Sequence, residues 1–224
     1  MDEKKSRIIG LILTALVLIL AFAVEWFVQP GYLIKSMIKV ATFGGVIALF
    51  AALSKKNIKE IIDFNKPERI GKLVICIAVF FVGIGILAFA FHNMISWSGI
   101  RESLVTKEGL TRKNCFFVFS YIIIVNSFLE EAFFRGFIPK LFSKKPVGFV
   151  ISAVLFSVYH IGIIGSWFNV LIFMICVIGL TLVGLFLQWV EHHFKTIIAN
   201  WMVHASANIA INVIGTLLIF EILK

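Results

Sequence analysis

The chain is patterned as long apolar stretches separated by short polar segments. An apolar stretch of about 20 residues can cross a bilayer as a helix, because each residue adds about 1.5 Å and the hydrocarbon core is roughly 30 Å thick. Seven stretches qualify: Ile8–Val28, Tyr32–Leu53, Leu73–Phe91, Cys115–Phe142, Val147–Ile163, Ser166–Val190 and Phe194–Leu223. The last is either one long tilted helix or two pieces broken near Gly215. The pattern predicts an all-α, polytopic membrane protein of about seven to eight transmembrane helices.

Composition strengthens the membrane assignment. Hydrophobic residues make up 60% of the 224 and charged residues 15%, whereas a soluble domain is about 45–50% apolar and about one quarter charged. No internal repeat or low-complexity segment divides the chain, so we expect a single integral membrane domain over residues 1–224. The three cysteines form no CxxC pair, which argues against a disulfide framework and against a thiolate metal site.

The net charge of +9 is carried mainly by the polar segments between the apolar stretches. Zinc-finger and helix-turn-helix spacings are absent, so we expect the lipid bilayer as a partner and no nucleic acid. With the amino terminus inside, 13 Lys and Arg residues lie on the inner side and 6 on the outer side, the latter including Lys35 and Lys39. Because basic loops stay in the cytoplasm, we expect a multi-pass protein of the cell membrane with a cytoplasmic amino terminus.

Two adjacent acids lie inside the fourth apolar stretch, in the sequence EEAFFR at residues 130–135. A charged residue at the centre of a span costs about 2.5–3.5 kcal/mol or more, so each one is a functional hypothesis. Glu131 and Arg135 are four residues apart with the acid first, and we expect them to pair. Glu130 points about 100° away and is expected to face a cavity, where it can take a proton from water. The alternatives are a salt bridge that only locks helices together and a conduction site in a transporter.

Further polar residues lie in the fifth and the last stretches. His160 is a lone histidine on an apolar helix, whereas Asn200, His204, Asn208 and Asn212 recur every four residues and form one polar stripe. His204 and Asn208, one turn apart, could donate hydrogen bonds to a single developing oxyanion. The alternatives are a packing histidine at position 160 and hydrogen bonds that merely join helices in the last stretch.

These polar residues share a depth in the predicted membrane. At about 1.5 Å per residue, Glu130, His160, His204 and Asn208 lie about 15 to 21 Å from the inner ends of their helices. The three helices alternate in direction, so packing residues scattered at random would rarely coincide in this way. The coincidence predicts one site, built by distant parts of the chain around an intramembrane cavity.

The motifs resemble those of the membrane-embedded CAAX-protease and bacteriocin-processing family, the Abi family, whose eukaryotic relatives are the type II CAAX prenyl endopeptidases. The matching residues are, in chain order, Glu130, Glu131 and Arg135, then Phe156 and His160, then His204 and Asn208. The motif-bearing core covers about residues 115–212. The amino-terminal half resembles the family only in being hydrophobic.

This resemblance implies an all-helical, CAAX-protease-like peptidase with a cavity open toward the cytosol. In that family Glu130 would act as the general base on a water molecule that His160 helps to position and polarise. Glu131 and Arg135 would orient the base.

The resemblance also implies that His204 and Asn208 stabilise the oxyanion of the tetrahedral intermediate. This scheme requires no cofactor. Zinc held by Glu130, His160 and His204 is the alternative, although the HExxH arrangement of many zinc peptidases is absent.

The leading functional hypothesis is an intramembrane endopeptidase that cuts a small or membrane-associated peptide substrate. Bacteriocin processing, secreted-peptide processing and self-immunity are the settings that the resemblance suggests. The second hypothesis is a non-catalytic immunity or sensor-interacting membrane protein that uses the same polar cavity for binding. The third is a proton-relay transporter, which the absence of an inverted repeat disfavours.

Overall fold

The computed structural model describes residues 3–164 and 168–223, and in these ranges the chain is helical and contains no β-strand. The helices in chain order are α1 Glu3–Val28, α2 Tyr32–Ser54, α3 Ile58–Ile61, α4 Ile70–Ala90, α5 Trp97–Thr106, α6 Cys115–Leu141, α7 Pro146–Ile164, α8 Val170–Phe194 and α9 Ile197–Ile219. Within the described ranges seven of them, all except α3 and α5, are long and apolar enough to cross a membrane. The predicted all-α, multi-pass membrane fold is confirmed.

The last apolar stretch forms one continuous helix and is not broken at Gly215. Its predicted start was too early, because Phe194 is the final residue of α8 and Lys195 adopts a left-handed conformation that ends that helix. Thr196 then caps α9, its hydroxyl accepting a hydrogen bond from the N–H of Ile198 at 3.2 Å. The predicted start of the sixth span, at residue 166, lies outside the described residues.

Helices α6 and α9 lie at the centre of the bundle. In the described part of the chain α9 is the most buried of the candidate spans, at 56%, and α4, which packs against it, is the least buried, at 6%. On its other side α9 contacts α6, which also packs against α1, α2 and α7. The buried faces of α6 and α9 therefore meet each other and the helices around them.

A widened turn in α6 accounts for one residue of the polar stripe on α9, Asn208. Over Ile122–Asn126 the helix makes hydrogen bonds five residues apart, as between the Ser127 N–H and the Ile122 carbonyl. The side chain of Asn208 donates to that same carbonyl at 3.3 Å. Trp201 donates to the carbonyl of Ile124 at 2.9 Å. In hydrocarbon a backbone carbonyl needs such a partner, so α9 stabilises the irregular turn that leads into the two glutamates.

Aromatic packing fills the space between α2, α6 and α7. Phe43 stacks on Phe133 with ring centroids 4.6 Å apart, and Phe134 meets Phe156 edge-on at 5.3 Å. The phenylalanines that follow the acids on α6, at positions 133, 134 and 137, are fully buried. Lipid supplies no hydrophobic drive for helix association, so van der Waals contact of this kind must hold the spans together.

One basic residue joins three segments at the side of the bundle where α6 ends and α7 begins. The Nζ atom of Lys144 lies 2.8 Å from a carboxylate oxygen of Asp63 and 2.8 Å from one of Glu191. Burial lowers the pKa of Lys144, but the hydrogen bonds to the two acids outweigh it and raise that pKa above its ordinary value. The charged form of Lys144 therefore links the α6–α7 connection to the segment after α3 and to the end of α8.

Helices α7 and α8 approach closely at Gly184, where an added Cβ would lie 2.9 Å from the Cα of Ala153. We predict that Gly184→Ala lowers the free energy of unfolding by about 1–3 kcal/mol, because backbone must move to admit the methyl group. Gly179→Ala is the matched control, since a Cβ there meets nothing within 4 Å. Thermal unfolding in detergent measures both, and equal melting temperatures would contradict the packing described.

The Lys144 contacts give a second stability prediction. Lys144→Met should lower the free energy of unfolding by about 1–2 kcal/mol at neutral pH, since two charged hydrogen bonds are lost from a partly exposed site. A raised pKa in the folded state means that this stabilisation is present below the unfolded pKa and disappears as pH rises through the folded one. The difference from wild type should therefore shrink at strongly alkaline pH. Lys145 is an exposed neighbour, and Lys145→Met should change the free energy of unfolding little. An equal decrease in both variants would contradict the contacts described for Lys144.

Candidate active site

Three side chains from three helices converge at the centre of the bundle. Glu130 on α6 is 1% exposed. Its Oε2 atom lies 3.8 Å from Nε2 of His160 on α7 and 3.8 Å from Nε2 of His204 on α9. The structure thus brings together the acid and both imidazoles that the common depth in the sequence placed in one layer.

Hydrogen bonds at the far side of each ring fix which nitrogen faces Glu130. Nδ1 of His160 lies 2.7 Å from the carbonyl of Phe156, and because a carbonyl only accepts, Nδ1 carries the hydrogen. Nδ1 of His204 lies 2.7 Å from Oε1 of Glu131 and likewise donates. In the neutral rings both Nε2 atoms are therefore free to accept a hydrogen bond.

Glu131 organises the layer behind His204. It is fully buried, and its Oε1 lies 3.2 Å from Nη1 of Arg135, one turn further along α6. Its other oxygen accepts from the side chain of Asn200 at 3.3 Å. The expected pairing of Glu131 with Arg135 is present in the structure, although its geometry is that of a charge contact and not of a hydrogen bond. The guanidinium also stacks on the ring of Phe156, with its carbon 4.0 Å from the centroid.

Two further residues hold the other oxygen of Glu130. The Nζ atom of Lys39, on α2, lies 2.8 Å from Oε1 of Glu130 and also donates to the side-chain oxygen of Asn126. The amide nitrogen of Asn126 in turn donates to Oε1 of Glu130 at 2.9 Å. Sequence reasoning missed both residues. Lys39 was counted as a charge on the outer side, although a lysine seven residues inside an apolar stretch needs a partner. Asn126, one turn before Glu130, was not considered.

Lys35, one turn before Lys39, belongs to a separate ion cluster. Its Nζ atom lies 2.7 Å from Glu25 on α1 and 2.9 Å from Glu108, which follows α5. The two lysines of α2 therefore pair with different acids.

Asn208 lies outside the contacts around Glu130. Its amide nitrogen donates to the backbone of α6 at Ile122, so it holds the widened turn and is not aimed together with His204 at one point. The expectation that both residues donate to a single oxyanion does not match this arrangement. The arrangement matches the alternative, in which Asn208 makes a hydrogen bond that joins two helices.

The zinc alternative fits these residues poorly. In residues 3–164 and 168–223 no three His, Cys, Asp or Glu side chains are placed so that they could hold a metal ion. The ammonium of Lys39, 2.8 Å from Oε1 of Glu130, already balances the negative charge of this carboxylate at the oxygen that does not face the imidazoles.

Two apolar grooves lie beside α1 and α2. One, of about 490 Å³, lies between α2 and α6, and its lining includes Tyr32 and Tyr121 but none of the residues around Glu130. The other, of about 260 Å³, lies between α1 and α7 and includes Tyr159, whose ring lies 4.8 Å from Nζ of Lys39. By contrast, the α6 side chains between Glu130 and the α6–α7 connection are tightly packed phenylalanines. The resemblance to the family implied instead a cavity that opens on that side, toward the cytosol.

The geometry around Oε2 of Glu130 suits a water molecule. This oxygen is buried and has no hydrogen-bond partner in the protein, and one water can bridge it to both imidazole nitrogens 3.8 Å away. One water has two hydrogens, so it can donate to at most two of these three atoms at a time, and a third partner must carry a hydrogen of its own.

Comparison with known protein families agrees with these motifs. Residues 112–210 match the model of the family described as type II CAAX prenyl endopeptidase Rce1-like. The matched segment is slightly less than half of the chain and contains Glu130, His160 and His204, but not Lys39. It confirms that this segment resembles a family of peptidases. No curated protein and no solved structure matches the chain.

Replacing Glu131 should strongly lower the free energy of unfolding. Glu131→Ala leaves Arg135 charged and unpaired in the bundle centre, and we predict a loss of about 3–5 kcal/mol of unfolding free energy. Glu221→Ala, which breaks the exposed contact with Arg101, is the control and should cost at most about 1 kcal/mol. Unfolding in a denaturing detergent measures both, and similar losses would show that Glu131 is not buried as described.

Proposed function

We propose that this chain, whose residues 112–210 belong to the Rce1-like family of type II CAAX prenyl endopeptidases, hydrolyses peptide bonds within the membrane by means of a water molecule activated by Glu130. The observation that carries the proposal is the position of Oε2 of Glu130, buried, without a protein partner and 3.8 Å from two imidazole nitrogens. A carboxylate and two imidazoles around one small volume are the groups that general acid–base hydrolysis needs.

The reaction follows from this arrangement. Glu130 takes a proton from the water while His160 orients it, and the water oxygen forms a bond to the carbonyl carbon of the substrate. The carbonyl π electrons move to its oxygen, and the imidazolium of His204, backed by Glu131, donates a hydrogen bond to this oxyanion. When the intermediate collapses, the C–N bond breaks and the proton held by Glu130 passes to the leaving amine. The products are a carboxylic acid and an amine.

The remaining site residues have supporting roles in this proposal. Glu131 fixes the tautomer and direction of the His204 ring, as second-layer carboxylates commonly do for a working histidine. Arg135 balances the charge of Glu131 in a medium where an unpaired carboxylate would be costly. Asn208 acts one step further away by holding the widened turn of α6 that carries Asn126 and Glu130 into place. No metal takes part in any step.

A small or membrane-associated peptide is the proposed substrate. The apolar grooves beside α1 and α2 support this, because their side chains suit a lipid-facing or lipidated segment and the smaller groove reaches Tyr159, which contacts Lys39. Following the resemblance of the motifs, we propose processing of a bacteriocin or a secreted peptide, or self-immunity, as the setting. The protein would lie in the cell membrane with its amino terminus in the cytoplasm.

The test is cleavage by the full chain in lipid nanodiscs, using a farnesylated CAAX peptide, its unmodified counterpart and an unmodified transmembrane peptide as probes, read by mass spectrometry. Glu130→Gln should lower kcat by about 10²–10⁴-fold, because it removes the base. His160→Ala and His204→Ala should each lower it at least about 10²-fold.

His192→Ala, an exposed histidine at the end of α8, is the matched control and should cleave like wild type. Wild-type cleavage by Glu130→Gln would remove the proposed base. Binding of a probe peptide without cleavage by any form of the protein would instead favour a non-catalytic immunity or sensor-interacting protein.

A further inference from the structure

We propose that Lys39 is a positioning residue for the base, and that the active site therefore extends beyond the family-matched segment to α2. The proposal rests on the role of Glu130 given above. Lys39 and Asn126 both donate to Oε1 of Glu130. With that oxygen engaged twice, the free oxygen, Oε2, is the one that faces His160 and His204.

Lys39 is held by two hydrogen bonds and by contacts with two aromatic rings. An ammonium has three N–H donors. One goes to Glu130 and one to the side-chain oxygen of Asn126. The ammonium also lies against the face of Tyr159, 4.8 Å from the ring centroid, with Phe43 at 5.8 Å, where a cation is stabilised. Four contacts from three helices leave Lys39 one well-defined position.

A flexible glutamate needs this support. Its side chain has three rotatable bonds, and either carboxylate oxygen could turn toward the imidazoles. Asn126 alone offers one neutral donor to Glu130, whereas Lys39 adds a charged donor, and charge-assisted hydrogen bonds are roughly twice as strong as neutral ones. Lys39 thus holds the carboxylate in the orientation in which Oε2, and not Oε1, meets the water.

A purely structural salt bridge is the competing explanation, and Lys35 provides the comparison. It lies on the same helix, one turn away, is 9% exposed and pairs with two acids, Glu25 and Glu108. Among the described residues, it makes no hydrogen bond or ion pair with Glu130 or with either site histidine. If Lys39 only stabilised the bundle, the loss of either lysine should have similar consequences.

The experiment compares Lys39→Met and Lys35→Met in the full chain in nanodiscs with the farnesylated CAAX peptide. We expect Lys39→Met to lower kcat by about 100-fold, the effect of a misplaced reacting group, with KM changed by less than about twofold, because little ground-state binding is lost. Lys35→Met should keep kcat even if it melts at a lower temperature. Lys39→Arg, which retains the charge, should recover more activity than Lys39→Gln, and this pair decides the matter if Lys39→Met does not fold.

Infrared spectroscopy gives a readout that needs no substrate. The carboxylate band that is lost in Glu130→Gln identifies Glu130, and it should shift in Lys39→Met but not in Lys35→Met. An unshifted band, or equal kcat in the two lysine variants, would overturn the role of Lys39. Full activity of Glu130→Gln would instead overturn the proposed base, so the two failures can be told apart.

Discussion

Charge balance inside the bundle is the constraint on which the rest of the structure depends. Two acids, Glu130 and Glu131, and two cations, Lys39 and Arg135, lie within the membrane-spanning helices and contact one another in pairs. A lone charge at this depth would cost several kcal/mol, whereas each of these has an opposite charge within about 3 Å. The pairing leaves the layer neutral apart from the two histidines, so one carboxylate oxygen can remain free for chemistry.

The packing of the helices stabilises the irregular backbone of α6 on either side of the two acids. A widened turn of α6 comes just before the acids and another, Ala132–Phe137, just after them, and such turns often occur at functional sites because they re-aim the side chains nearby. Asn208 and Trp201 of α9 donate hydrogen bonds to two carbonyls of the first turn. The second turn is itself formed by buried residues, among them Phe133, Phe134 and Phe137. The irregular backbone is thus stabilised by hydrogen bonds from α9 at the first turn and by protein packing at the second, as the membrane requires.

The sequence predicts the fold well because span length and hydrophobicity are local properties. It also predicts the meeting of Glu130, His160 and His204, since depth along each helix can be counted from its end. It could not predict Lys39, because no rule of spacing within one helix shows which neighbour a lysine of α2 will face. Asn208 shows the same limit: its face on α9 is predictable, but the backbone carbonyl it meets depends on an irregular turn in α6.

The central claim is that the carboxylate of Glu130 lies between two imidazoles in the membrane. Solid-state NMR on the full chain in lipid bilayers, with ¹⁵N-labelled histidine and ¹³C-labelled glutamate side chains, tests this most directly. The account predicts dipolar coupling from Nε2 of both His160 and His204 to one carboxyl carbon, which disappears when the protein carries Gln at position 130. Absence of that coupling at either histidine in the folded wild-type protein would contradict the account.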